Sequence, residues 1–143
     1  KMCNIQEPKN GLEGKFSLRF TTAMGLLGED TGRMDSYSEE KCEHLALVAM
    51  RDRIQVVAND DLEHDHAVAD VRLTRKDGVV IHQSGNVYDP ESDQDRQWSR
   101  LVEKFQGLAE PVVGADKAGQ IIEKVAKLET LGKVGPIAEL AVK

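Results

Sequence analysis

The stretch NDDLEHDH, Asn59 to His66, gathers four carboxylates and two histidines into eight residues. His64 and His66, with Asp60, Asp61, Glu63 and Asp65, could offer nitrogen and oxygen ligands to a divalent ion, and in an extended segment both imidazoles would point the same way. An EF-hand loop needs oxygen ligands at a longer register around a central glycine, which this stretch lacks. A charged connector between strands also serves solubility and shields a sheet edge, so a solvated loop with no bound metal outweighs the metal site.

GLEGKFSLRF, Gly11 to Phe20, offers a different chemistry. Lys15 and Ser17 fall close to a helix start, where free backbone N–H groups and the helix dipole favour an anion. On residue type alone, a surface lysine and a helix serine win by a wide margin. His44 follows Cys42 by two residues on a helix, so the two side chains diverge. His82 lies on the strand face opposite Ile81, exposed or paired across a hairpin, and Trp98 reads as a core anchor. The chain contains no Gly-rich phosphate loop, Cys-x-x-Cys pair, His-Glu-x-x-His helix or nucleophile elbow, so motifs alone assign no catalytic residue.

The elements that must position these residues follow from periodicity. Met2 to Gln6 alternates and is stopped by Pro8, which predicts a strand, and KNG supplies a turn. Leu12, Phe16, Phe20, Ala23, Met24 and Leu27 recur at helical spacing and predict one helix over 12–27 with Gly28 as its stop. After the polar segment EDTGRMDSYS, Ser38 caps a second helix whose buried stripe is Cys42, Leu45, Val48 and Ala49. Arg53 to Ala58 alternates weakly as a strand. Ala67 to Leu73 alternates as a half-buried strand, and RKDG turns it into a hairpin with VVIHQ. Ser92 or Asp93 caps a helix carrying Trp98, Leu101, Val102, Phe105 and Leu108 and ending at PVVG. Ala118, Ile121, Ile122, Val125 and Leu128 mark another helix, and Pro136 opens a short last one. The expected fold is α+β: a single domain over 1–143, with a small, mainly antiparallel sheet of about four strands covered by helices, and extra C-terminal helices.

Composition bounds the function. The 143 residues are 40% hydrophobic and 31% charged, with no apolar run near bilayer length, which suits a globular chain that does not enter a membrane. A net charge of −6 without a basic stripe disfavours nucleic acid and anionic membranes as partners. Cys3 and Cys42, one in a strand and one on an apolar helix face, read as buried free thiols. With no secretory signal in KMCNIQEP, a cytoplasmic location is expected.

PKNGLEGKFSLRFTTAMGLLG resembles the segment that opens the C-terminal domain in the MmgE/PrpD family, which includes 2-methylcitrate dehydratase, cis-aconitate decarboxylase and iminodisuccinate epimerase. Pro8, Glu13, Lys15, Phe16, Ser17 and Gly28 match the family pattern. The chain continues in family order: VVAND ending a strand, the Asp77-Gly78 hairpin, the Gly85 to Pro90 loop, and EKFQGLAEPVVG with its Lys104-Phe105 and Leu108-Ala109 pairs. The resemblance spans nearly the whole chain.

It implies addition or elimination beside carboxylates, with no cofactor. It also implies an N-terminal all-helical domain as partner, holding most of the catalytic acid and base residues, so that this chain begins after them and its catalytic residues stay unassigned. Lys15, Ser17, Arg19 and Phe20 then take substrate-carboxylate or interdomain contacts. At Phe20 relatives often carry a tyrosine, and its loss removes a proton donor. The expected role is one wall of an interdomain site for a small di- or tricarboxylate, inactive alone. A free-standing binding module on the same fold is the alternative, and a homodimer is left open.

Overall fold

The structure, a computed structural model, describes residues 4–59 and 67–142. Its elements run α1 (Gly11–Lys15), α2 (Leu18–Leu26), α3 (Glu39–Glu43), α4 (Leu45–Arg51), β1 (Val68–Thr74), β2 (Val80–Asn86), α5 (Gln94–Val113), α6 (Ala115–Ala126) and α7 (Gly135–Leu140), with a 3₁₀ turn at Leu128–Thr130 before the last helix. The fold is α+β, as expected, but among the described residues the sheet has two antiparallel strands rather than about four. The chain divides into two compact units, Lys1–Val56 with Trp98–Lys143, and Val57–Gln97.

In the first unit, Asn10 caps α1 by accepting from the Glu13 N–H at 3.0 Å, while the Glu13 carboxylate accepts from the Lys9 N–H at 2.7 Å. The helix predicted over 12–27 is two helices. Ser17 is extended (φ −115°, ψ 103°), which interrupts the ladder, and its Oγ restarts it by accepting from the Phe20 N–H at 3.2 Å. The interruption changes the phase of the stripe: Leu12 and Phe16 are exposed, whereas Phe20, Ala23 and Met24 are fully buried. Gly28 ends α2 as the periodicity predicts. Its φ of 77° permits the paired bonds Gly28 N–H to Gly25 C=O and Glu29 N–H to Met24 C=O, a Schellman motif.

Ser38 caps α3, its Oγ accepting from the Lys41 N–H at 3.1 Å. A second break falls at His44 (ψ 120°), so Leu45 starts α4 instead of lying one turn beyond Cys42. Leu45 is 85% exposed and Leu47, at 1%, takes its place in the core. Phe20, Ala23, Met24, Cys42 and Leu47 form that core, with Tyr37, Met50 and Ile54 packed against it. Burying a side chain such as Phe20 contributes about 1.5–3 kcal/mol.

Neither extra strand forms among the described residues. Asn4 makes one antiparallel bridge with Ser17, because its partner is the joint between α1 and α2 and offers no extended ladder. At 53–58 the alternation is real, with Ile54 and Val56 half-buried and Val57 exposed, but the Arg53 and Ile54 N–H groups turn back to the Met50 and Arg51 carbonyls.

The C-terminal helices form as expected, except that α6 ends at Ala126 and Leu128, expected on its stripe, falls in the 3₁₀ turn and is exposed. Asp93 accepts from the Arg96 N–H at 3.0 Å before α5, and Gly114 (φ 86°) closes that helix after Pro111. No residue of α5 is buried; Trp98 is 39% exposed and is not the core anchor its type suggested. Ala118 and Ile121 of α6 are buried, and α6 packs on α7.

The second unit holds the predicted hairpin, in register from Val68 opposite Asn86 to Thr74 opposite Val80. Arg75 and Val79 close a three-residue loop in which Gly78 (φ 83°) takes the left-handed position and Asp77 Oδ1 accepts from the Val79 N–H at 3.1 Å. In β1 Val68 and Leu73 are half-buried but Val71 is exposed, so that strand is less buried than its alternation predicts; Val80 and Ile81 of β2 are exposed as well. His82 is paired across the hairpin, its Nε2 3.0 Å from Asp70 Oδ1.

Candidate functional site

The joint between α1 and α2 carries all four residues singled out in GKFSLRF, and the backbone explains where each one goes. Lys15 ends α1 and its ammonium projects to the Glu29–Ser38 connector, 3.2 Å from Met34 Sδ and 5.4 Å from the centroid of the Tyr37 ring. No carboxylate pairs with Lys15 among the described residues. Its charge is therefore met by a thioether and an aromatic face, which leaves it uncompensated and able to take an anion.

Ser17 is 1% exposed and its oxygen is committed to capping α2. Its carbonyl accepts from both the N–H and the hydroxyl of Thr21. Arg19 lies in the first turn of α2, half-buried, with its Nε shielded from solvent and without a hydrogen-bond partner among the described residues. Phe20 is fully buried, its ring beneath Gly14, where an added Cβ would come within 3.2 Å. The structure thus brings Lys15 and Arg19 to the two sides of a capped joint, while Ser17 and Phe20 hold that joint to the core.

The connector is tied down over its length. Glu29 and Lys41 pair at 2.7 Å, Asp30 Oδ1 accepts from the Gly32 N–H at 2.7 Å, Arg33 and Asp35 pair at 2.6 Å, and the Tyr37 hydroxyl donates to the Thr31 carbonyl at 3.0 Å. The hydrogen-bonded Arg33 guanidinium holds the Asp35 carboxyl below its ordinary range. Burial, with Asp30 adding to it, raises the Tyr37 phenol. Against α1 the approach is closer still: a Cβ on Gly11 would lie 2.2 Å from the Tyr37 carbonyl oxygen, so this contact exists only because residue 11 is glycine.

Met34 and Tyr37 are the site residues that sequence reasoning missed. By composition EDTGRMDSYS is a polar connector, and the available signal is an aromatic inside it together with two glycines on the facing short helix.

Elsewhere, Cys42 is free and buried, its thiol raised by burial and donating to the Asn10 carbonyl at 3.4 Å. Cys3 and residues 60–66, most of NDDLEHDH, lie outside the described residues. Among the described residues, no three His, Cys, Asp or Glu side chains group as a metal site, and no helix is long and apolar enough to cross a membrane.

The described residues form an α+β fold of helices and a two-stranded antiparallel hairpin. The chain belongs to the MmgE/PrpD family: residues 1–130 match the MmgE/PrpD C-terminal domain. Compared with the curated proteins, the chain has no match. A C-terminal domain in this family is one part of a larger whole, which implies an N-terminal partner domain.

Proposed function

We propose that this chain forms one wall of an interdomain site in an MmgE/PrpD-type lyase acting on a small di- or tricarboxylate, as in 2-methylcitrate dehydration. The observation that carries the reading is the Lys15 ammonium, which has no carboxylate partner among the described residues. Elimination beside a carboxylate needs a base at the carbon acid, an acid at the leaving group and cations that hold the carboxylates. Lys15 and Arg19 fill the third role. Ser17 fixes the joint that carries them, and Phe20 seats it on the core without offering a proton. The acid and base come from the N-terminal helical domain.

Trp98, Leu101, Leu108 and Val112 of α5, each more than a third exposed, suit coverage by that domain and favour this reading over a free-standing binding module, for which an apolar face of this kind is a liability. The test is to assay the chain alone, and then assembled with a helical domain of the family, on 2-methylcitrate and cis-aconitate. Turnover in the assembly only is expected. Turnover by the chain alone contradicts the dependence, and none in either contradicts the chemistry.

A further inference from the structure

The Glu29–Ser38 connector makes no contribution to catalysis in the reading above, yet it holds the only groups seen against the Lys15 ammonium among the described residues. A lysine at a helix end ordinarily samples many rotamers in water, and fixing it costs side-chain entropy. Here the ammonium meets Met34 Sδ at 3.2 Å and the Tyr37 ring at 5.4 Å, two partners that attract a cation without neutralising it. A carboxylate in the same place would fix the lysine equally well and cancel the charge that an anion needs. The ring is itself fixed: its hydroxyl donates to the Thr31 carbonyl at 3.0 Å, its Cδ1 lies 3.5 Å from where a Cβ on Gly14 would stand, and its backbone is clamped on Gly11.

We propose that Tyr37 and Met34 are positioning residues, which hold Lys15 in place for an incoming polycarboxylate and make the connector part of the binding element. This inference rests on the assignment of Lys15 as a carboxylate contact. It predicts that losing either partner loosens anion binding without removing it, by about two- to five-fold, the size of an exposed cation–π contact.

The experiment is a citrate titration of the 143-residue chain at physiological salt, followed by NMR at the Lys15 side chain, the Met34 methyl and, as controls, Lys41 and Lys124. Saturable shifts confined to Lys15 and Met34 are expected, with Tyr37→Leu and Met34→Leu each weakening the dissociation constant by that factor and Tyr37→Phe, which keeps the ring, retaining it. The Met24 methyl and the Leu47 methyls report the core; if Tyr37→Leu disturbs them, Met34→Leu decides alone, since Met34 is 63% exposed. Saturation at Lys15 with unchanged affinity in Met34→Leu and in any folded Tyr37→Leu overturns the positioning role and leaves Lys15 as a contact. No saturation at Lys15, or equal shifts at the control lysines, overturns the contact and the inference together.

Discussion

Ser17 stands between two short helices, its extended backbone following α1 and its oxygen, in a 1% exposed position, starting α2. Ser17→Ala should cost about 1 kcal/mol of stability, the usual loss of a helix cap, measured as a lower denaturant midpoint with an unchanged slope. Gly11→Ala should cost more, about 1–3 kcal/mol as overpacking typically does, because the new Cβ meets backbone that cannot swing aside. At the hairpin, Asp70 is lowered first by its hydrogen bond from His82 and then by that from Ser84. A carboxylate with a depressed folded pKa adds stability above its unfolded pKa and loses it as pH falls through the folded one, so this link should fail only in acid. An NMR titration of the Asp70 carboxyl should place its midpoint below that of an ordinary aspartate, and His82→Ala should raise it; an ordinary midpoint before substitution contradicts the pairing. Residue types were legible here where one side chain settles a local geometry, as with Ser38, Gly28 and Gly78. Lys15 and Ser17 were legible as a pair, but their division of labour was not, because which one faces outward depends on a break at 16–17 that helical spacing does not encode.

At the level of elements, Phe20 and Leu45 illustrate what periodicity conveys and what it omits. Both belong to stripes of apolar residues at three and four spacing, yet one is fully buried and the other 85% exposed. The difference lies in the breaks at Ser17, whose side chain caps α2, and at His44, which makes no side-chain cap; each resets the helical phase. Phe20→Ala should therefore cost about 3–5 kcal/mol, as truncating a core aromatic does, while Leu45→Ala should be close to neutral; equal effects in thermal unfolding would contradict the assigned core. The hairpin was legible because Asp77-Gly78 supplies the positive φ that its loop requires. Gly78→Ala should fray β1 and β2 in amide exchange, by about 1–2 kcal/mol, the cost of a Cβ in the left-handed region, and leave α2 unchanged. The missing strands were not excluded by sequence, since alternation at 53–58 reports which side chains turn inward and says nothing about a neighbouring strand to complete the ladder.

For the whole molecule, the order of elements and the GKFS stretch placed the chain in its family, and the match over residues 1–130 agrees. The surface proposed to meet a partner domain was harder to read. A helical stripe such as Trp98, Leu101 and Leu108 looks the same in sequence whether it faces its own core or another domain, and only its exposure tells them apart. The central claim is that this domain supplies the cation that receives a substrate carboxylate. It is tested most directly by kcat/KM for 2-methylcitrate in the chain assembled with a helical domain, compared with the same assembly carrying Lys15→Gln. Loss of a hydrogen bond to a charged group predicts a fall of roughly 10- to 100-fold. An unchanged kcat/KM would contradict the account.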